Sequence, residues 1–257
     1  MNNSKILDSW RWFGDGDPIS LKNIRMTGVK NIVSGLHQIP IGDIWTIEDI
    51  LIHKNKIEEY GFSWSVVESI PVHETIKYGG QERDKYIHNY SQSIKNIASA
   101  GINILCYNFM PLVDWTRTDL MYSNPDGSFS LSFDYIDFII FDLFILQRET
   151  SKDNTYTQEQ IQESQKRFEK MSSSDINKLS ETILKGLPGS MVNSSTLESF
   201  RKQLQLYSGI TKQKLQENLK YFLNAIVPIA IECNVYLGIH PDDPPLNLFN
   251  IPRIVST

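Results

Sequence analysis

The sequence of 257 residues has no cluster of basic residues and almost no cysteine. Its 25 Lys and Arg are outnumbered by 30 Asp and Glu, giving a formal net charge of −5. Without a basic stripe, the charge pattern expected of a nucleic-acid-binding protein is missing. The only cysteines are Cys106 and Cys233, which exclude a disulfide framework and indicate a reducing compartment.

The sequence also has no long apolar run. Residues 1–10 contain no apolar core of a signal peptide, and the most apolar stretch, FIIFDLFIL at 138–146, is too short to span a bilayer and contains Asp142. The composition, 40% hydrophobic and 21% charged, is ordinary for a globular protein. We therefore predict a soluble, cytoplasmic protein with neither a nucleic acid nor a membrane as partner.

A repeated order of amphipathic helix, glycine and β-branched strand organises the first hundred residues. The clearest copy begins at Thr46, whose hydroxyl can cap a helix with Asp49 as capping-box partner, and it ends at Gly61 before a strand at 63–69. Another copy delivers a strand at 103–109. Because helices of this size alternate with strands, the pattern predicts right-handed βα units and a parallel sheet.

Five segments are predicted as strands, at 11–14, 31–37, 63–69, 103–109 and 235–240. A long helix capped by Thr211 and kinked or interrupted at Pro228 is expected before the last of them. The alternation stops between 115 and 210, which we interpret as a mostly helical insertion within a single domain spanning 1–257. Five strands suit either an open sheet or an incomplete eight-stranded barrel.

Polar side chains lie at the ends of the predicted strands, the position at which ligands bind in parallel α/β proteins. Each has an ordinary alternative, because a glutamate can cap a helix, an asparagine can form a turn and a lone histidine is more often structural. Their common placement favours a site for a polyol or an acid. The candidates are Arg11, Trp12, His37, Glu68, Asn108, His240 and Asp242 with Asp243.

The segment IHPDDPP at 239–245 combines a histidine with two carboxylates and three prolines, which stiffen the loop. A neutral His240 could bind a divalent metal, with Asp242 or Asp243 orienting the ring or contacting a ligand. The alternative is a rigid turn with surface acids. One histidine does not make a metal site, and His37 is its one plausible companion.

Arg117 has two interpretations that the sequence leaves equally open. Its guanidinium offers a fork of donors suited to the carboxylate of a ligand. It could instead pair with Asp114 or Asp119 and hold the start of the insertion.

Several longer motifs occur in order along the chain: RWFG (11–14), VVESIPVHE (66–74), CYNFMPLVDWTRTDL (106–120), NPDG (124–127), GIHPDDPP (238–245) and IPRIVS (251–256). Together they resemble the mannonate dehydratase family of the hexuronate pathway. The resemblance implies a (β/α) barrel of the xylose-isomerase-like type and a carbon–oxygen lyase. This activity converts D-mannonate to 2-keto-3-deoxy-D-gluconate and water with Mn²⁺ or Fe²⁺, and His240 corresponds to a metal ligand.

In that family the other metal ligands and the proposed acid and base come from later strands, so the resemblance assigns no catalytic residue in 1–257. We expect about five of eight strands, two unpaired sheet edges and an incomplete metal site. Activity would then need the missing strands in cis or from a complementing C-terminal chain, and the expected partner is that chain or a second copy of this one. The alternatives are a related sugar isomerase or epimerase, and a non-catalytic fragment or assembly module.

Overall fold

The computed structural model describes residues 6–149, 155–185 and 196–256. The strands are β1 Ser9–Arg11, β2 Asn31–Ser34, β3 Ser63–Glu68, β4 Ile104–Tyr107, β5 Asp119–Ser123, β6 Phe129–Ser132 and β7 Tyr236–Ile239. The helices are α1 Leu21–Arg25, α2 Ile47–Glu59, α3 Glu74–Tyr78, α4 Arg83–Ser99, α5 Tyr135–Ile140, α6 Gln158–Phe168, α7 Ser173–Lys185, α8 Leu197–Leu206 and α9 Lys212–Glu232. A π-helical turn, Phe141–Ile145, follows α5.

One compact unit, here called the sheet unit, consists of Met1–Phe109 and Gln213–Pro241. Its five strands pair in the order β1-β2-β3-β4-β7, and every pair is parallel. The five predicted strands and their parallel arrangement are therefore confirmed. The first strand lies at Ser9–Arg11, earlier than the predicted 11–14. Within the described residues, the sheet ends at β1 on one side and at β7 on the other.

Helix α2 has the cap, the buried apolar face and the terminating glycine that its sequence predicts. The Thr46 hydroxyl accepts from the Asp49 amide at 3.1 Å and donates to the Asp49 carboxylate at 2.5 Å, so the predicted cap is present, although the carboxylate bonds the hydroxyl and not the backbone. Ile50 and Ile57, seven residues apart, are fully buried. Gly61 follows the helix with a φ of 79°, which glycine adopts at little cost.

Helix α9 differs from its prediction at one point. It continues through Pro228 without interruption from Lys212 to Glu232. Leu215, Phe222 and Ile226, which precede Pro228, are each fully buried, and Ala230, which follows it, is 2% exposed. One buried face therefore anchors the helix on both sides of the proline. Packing of this face offsets the hydrogen bond that the proline cannot donate.

The second compact unit, here called the helical unit, consists of Met110–Lys212 and Asp242–Thr257. The helices expected between 115 and 210 are present, but a two-stranded antiparallel hairpin of β5 and β6 precedes them and was not predicted. The hairpin turns through residues 124–127, where Gly127 has a φ of 84°. The core of this unit contains a cluster of aromatic rings, Phe138, Phe141, Phe200 and Phe249.

Asp142, the single charge in the apolar run, is fully buried in the helical unit. Its carboxylate accepts from the Arg148 Nε and Nη2 at 2.8 and 2.7 Å and from the Tyr156 hydroxyl at 2.5 Å. Three donors compensate for the lost hydration of the charge. Across the described residues, no helix has both the length and the apolar character needed to cross a bilayer.

Candidate active site

The strand register places predicted residues on one face of the sheet. Arg11 aligns with Val33, and Val33 aligns with Val66, which lies two residues before Glu68. Glu68 aligns in turn with Cys106. Because side chains alternate between the faces of a strand, Arg11, Glu68 and Cys106 project from the same face. With His37, which follows β2, we call these residues the strand-end site.

An ion pair lies at the centre of the strand-end site. Arg11 Nη1 is 2.7 Å from Glu68 Oε2, and each side chain is 20% exposed. The guanidinium also lies over the Phe13 ring, 4.8 Å from its centroid. Partial burial makes this pair stronger than one at the surface. The two contacts fix the orientation of the arginine while both charged groups keep some access to solvent.

The thiol of the site is not a nucleophile at neutral pH. Burial, together with the nearby negative charge of Glu68, raises the pKa of Cys106 to about 11. The thiolate is the reactive form of cysteine. Cys106 therefore remains a neutral side chain beside the ion pair.

His37 is uncharged at neutral pH. Burial, assisted by the positive charge of Arg11, lowers the pKa of His37 to about 4. Its Nε2 atom is buried without a hydrogen-bond partner among the residues that the structure describes. A neutral imidazole both donates and accepts, so His37 suits a hydroxyl group better than it suits an anion.

Trp12, which the sequence placed among the ligand-binding candidates, lies elsewhere in the structure. Its side chain is 3% exposed and stacks on the His53 ring at a centroid distance of 5.2 Å. As the residue after Arg11, it projects from the opposite face of the sheet. Trp12 is thus part of the core, and its side chain does not share the face of the Arg11–Glu68 pair.

Asn108 and His240 follow neighbouring strands of the same unit. Tyr107 aligns with Ile239, and the His240 amide donates to the Tyr107 carbonyl at 2.7 Å. Asn108 is 5% exposed. His240 Nδ1 lies 2.6 Å from the Pro241 carbonyl. A carbonyl only accepts, so Nδ1 carries a proton in this contact, and in the neutral form of the ring the lone pair is on Nε2.

Arg117 lies in the helical unit, and its partner is neither of the two acids that the sequence suggested. Its Nη1 and Nη2 donate to the two carboxylate oxygens of Asp243 at 3.0 and 2.6 Å. Asp119 pairs instead with Lys178 at 3.2 Å. The fork of Arg117 therefore holds a carboxylate of its own chain, 126 residues away in the sequence.

Asp242 is buried in the helical unit, with 5% of the residue exposed. One carboxylate oxygen accepts from the Val255 amide at 2.7 Å and from the Ser256 hydroxyl at 2.9 Å. The other, Oδ1, has no hydrogen-bond partner in the described part of the chain. This geometry gives Asp242 a role in holding residues 255 and 256.

Cys106, a member of the strand-end site, and Phe13, which contacts Arg11, were not predicted from the sequence. Cys106 lies two residues before Asn108, so strict alternation along the predicted strand would have placed both on one face. For Phe13 no comparable signal exists, because its contact with Arg11 depends on the loop after β1.

The described residues do not by themselves fit a metal ion. No group of three or more His, Cys, Asp or Glu side chains is arranged to hold one within residues 6–149, 155–185 and 196–256. His240 presents one imidazole nitrogen, whereas protein metal sites combine three or four ligands.

Parallel strands with arginine, glutamate, asparagine and histidine at their carboxyl ends define an α/β protein with a polar strand-end region. The family model for D-mannonate dehydratase (UxuA) matches residues 6–257. The chain belongs to the D-mannonate dehydratase family.

Individual relatives agree with this assignment. The mannonate dehydratase of Marinomonas sp. (strain MWYL1) is 46% identical over 248 residues, which cover 96% of this chain and 63% of the relative. That of Chromohalobacter salexigens is 44% identical over 249 residues, covering 97% and 63%. The crystal structure of mannonate dehydratase from Streptococcus suis serotype 2 matches with a TM-score of 0.71 and 36% identity, covering 98% of this chain and 58% of that one. The chain thus spans less than two thirds of the length of these relatives.

Proposed function

We propose that this chain carries part of the site of a mannonate dehydratase, a hydro-lyase that converts D-mannonate to 2-keto-3-deoxy-D-gluconate and water. The observation that supports it most is the Arg11–Glu68 ion pair beside neutral His37, in a chain of the D-mannonate dehydratase family. The proposed substrate carries one carboxylate and several hydroxyls, and these side chains can hydrogen-bond both kinds of group.

Each member of the strand-end site has a distinct proposed role. Arg11 has five N–H donors, so a ligand oxygen can bind the guanidinium while the pair with Glu68 persists. Glu68 accepts from a substrate hydroxyl. His37 and Asn108 form hydrogen bonds with further substrate hydroxyls, and each can act as donor or as acceptor. These contacts bind and orient the sugar acid. Positioned groups of this kind lower the activation barrier of the reaction by holding the substrate in the reactive geometry.

The reaction itself needs a proton removed beside a carboxylate and a hydroxide lost from the next carbon. The negative charge that develops must be stabilised by fixed donors or a cation. Mn²⁺ or Fe²⁺ would supply such a cation, and His240, with the lone pair on Nε2, is its proposed ligand. The remaining ligands, and the acid and base, have to come from groups other than the described residues.

The proposal extends to architecture and setting. A parallel five-stranded sheet and the match to the S. suis structure support a (β/α) barrel as the complete fold. Two free cysteines support the cytoplasm as the compartment. A second copy of the chain, or a chain that adds the remaining strands, is the proposed partner.

A binding experiment tests the site. D-mannonate is titrated into the isotopically labelled chain while the imidazole signals of His37 and His240 are followed by NMR. In R11Q the loss of donors and the uncompensated Glu68 charge should weaken binding about tenfold or more. In E68Q the uncompensated Arg11 charge should leave binding of the anion equal or several-fold stronger. R25Q, which removes an exposed arginine of α1, is the matched control and should bind like the wild type.

A turnover experiment tests the reaction. Formation of 2-keto-3-deoxygluconate from D-mannonate is measured with Mn²⁺ or Fe²⁺, for the chain alone and with the part of the Marinomonas relative outside the aligned region. Product in either arm supports the proposal. Conversion of D-mannonate to an isomer or epimer would favour the isomerase alternative. Absence of both binding and product would refute the assignment of the site.

A further inference from the structure

The helical unit contains a cavity of about 530 Å³ that has no part in the proposed dehydration. This volume lies within the range of sites for small organic molecules. Its apolar lining includes Leu146, Phe249 and Ile251, each at most 5% exposed. The polar part of the lining comes from the segment after the π-helical turn, from the end of α8 and from the segment that follows it: Gln147, Arg148, Glu149, Arg201, Gln205 and Ser208. We call this space the α8 cavity.

The backbone around the α8 cavity is unusual. Gln147, Phe249 and Asn250 have φ values of 55°, 54° and 61°. These are three of the six positive-φ residues other than glycine in the described part of the chain. Such conformations cost free energy, most of all for a bulky residue such as Phe249, and they concentrate at ligand sites. Two separate segments thus adopt strained conformations where they meet the same cavity.

The lining of the α8 cavity contains two arginines, and they differ in the groups that they contact. Arg148 is engaged by both carboxylate oxygens of Asp142. Arg201 donates its Nε to the Leu146 carbonyl at 2.9 Å, which orients the guanidinium. Within the described residues no carboxylate lies within ion-pair distance of Arg201. Arg201 is therefore the cation with a donor fork left for a ligand.

Glu149 also lines the α8 cavity and narrows the class of ligand. A phosphate group carries close to two negative charges at neutral pH, and Glu149 would repel it. A monocarboxylate with hydroxyl groups avoids this cost, because its carboxylate can bind Arg201 and its hydroxyls can donate to Glu149.

We propose that the α8 cavity is a second ligand site, which binds a small hydroxycarboxylate through Arg201. The site lies wholly within the helical unit and does not depend on the proposed dehydratase activity. It pairs a cation with an apolar lining and hydrogen-bonding groups, a combination suited to one end of a compact organic acid.

Direct binding tests this inference. D-gluconate is titrated into the labelled chain while the backbone amide signals of Ser208 and Gly209 are followed by NMR. The comparison ligands are acetate, which lacks hydroxyls, sorbitol, which lacks the carboxylate, and inorganic phosphate. D-gluconate should shift these signals saturably and bind most tightly of the four. In R201Q its affinity should fall about tenfold or more, because a charge-assisted fork is lost.

Two further variants control the experiment. K202Q removes the neighbouring positive charge of α8, which pairs with Glu198 and does not line the cavity, and should bind like the wild type. S208F places a ring at the cavity lining and should abolish the shift. Absent or unsaturable shifts, equal affinity in R201Q and wild type, or an equal loss in K202Q and R201Q would each overturn the inference. Loss of these shifts in R11Q with retention in R201Q would also overturn it, since the ligand would then act from the strand-end site.

Discussion

Acidification should destabilise the sheet unit through one buried histidine of helix α2. The His53 ring is 8% exposed and lies between the rings of Trp12 and Trp64, at centroid distances of 5.2 and 4.8 Å. The Ser34 hydroxyl donates to the Trp12 carbonyl at 2.7 Å, so His53 Nε2, at 3.0 Å, must donate to Ser34. The neutral ring therefore keeps its hydrogen bond, and a second proton would have to be added at Nδ1 of a ring that is largely buried.

The magnitude follows from the two pKa values of His53. Burial is the main cause that lowers the pKa of the folded state from 6.5 to about 4. Between these values the unfolded chain binds the proton and the folded chain does not. Its contribution to stability is therefore complete above pH 6.5 and is lost as pH falls to about 4. At about 1.4 kcal/mol per pH unit, the loss amounts to about 3 kcal/mol.

Urea unfolding at a series of pH values measures this loss in the wild type and in H53Q, whose amide can still donate to Ser34. Other groups also titrate in this range, so the informative quantity is the difference between the two proteins. The acid-induced loss should be smaller in H53Q by about 3 kcal/mol. In H88Q, which removes an exposed histidine of α4, it should equal that of the wild type. The same acid-induced loss in H53Q and wild type would refute the argument.

Two further substitutions have expected effects on urea unfolding, each with a matched control. R148A leaves the buried Asp142 carboxylate without its bidentate partner and should cost about 3 kcal/mol. R167A, at a more exposed ion pair, should cost less than about 1 kcal/mol. G42A combines a φ of 93° with a new methyl group 2.6 Å from an aromatic ring and should cost more than about 2 kcal/mol. G14A, with a φ of 87° and open space around it, should cost only about 1 kcal/mol. Equal losses within either pair would contradict the reasoning.

The strands and helices of the sheet unit could be predicted because their signals are local. A cap such as Thr46, a stop such as Gly61 and a β-branched run each specify one element without reference to the rest of the chain. The predicted bounds of β1 were wrong by two residues at its start and three at its end, since pairing with β2 and not composition decides where that short strand lies.

The hairpin in the helical unit could not be predicted in the same way. The residues of β6 alternate as FSLS (129–132), but β5 contains the consecutive Leu120, Met121 and Tyr122, so only one of the two short strands carries a period-two pattern. Most residues of both strands are exposed, so no buried face reinforces that pattern. Its clearest signal is the turn around Gly127, which was noted as a family motif and not as a turn.

The sequence predicted where the residues of the candidate site lie along the strands, but not which of them contact one another. Strand ends locate Arg11 and Glu68, whereas the contact between them depends on the pairing of three strands. The bidentate pair of Arg117 with Asp243 is still less accessible, because nothing local connects residues so far apart in the sequence. For Trp12 even the position misleads, because a residue next to Arg11 in the sequence projects from the opposite face of the sheet, where Trp12 is buried.

The strand-end site has little net charge, and this limits how it can recognise a ligand. Glu68 neutralises Arg11, while burial moves the pKa of His37 down to about 4 and that of Cys106 up to about 11. The same cause thus shifts two neighbouring groups in opposite directions, because burial disfavours the charged form of each. Between about pH 4 and about pH 11 neither His37 nor Cys106 titrates, so both side chains are neutral when a ligand binds. Discrimination at this site therefore rests on hydrogen-bond geometry, and net electrostatic attraction for the carboxylate of the proposed substrate would have to come from a further cation.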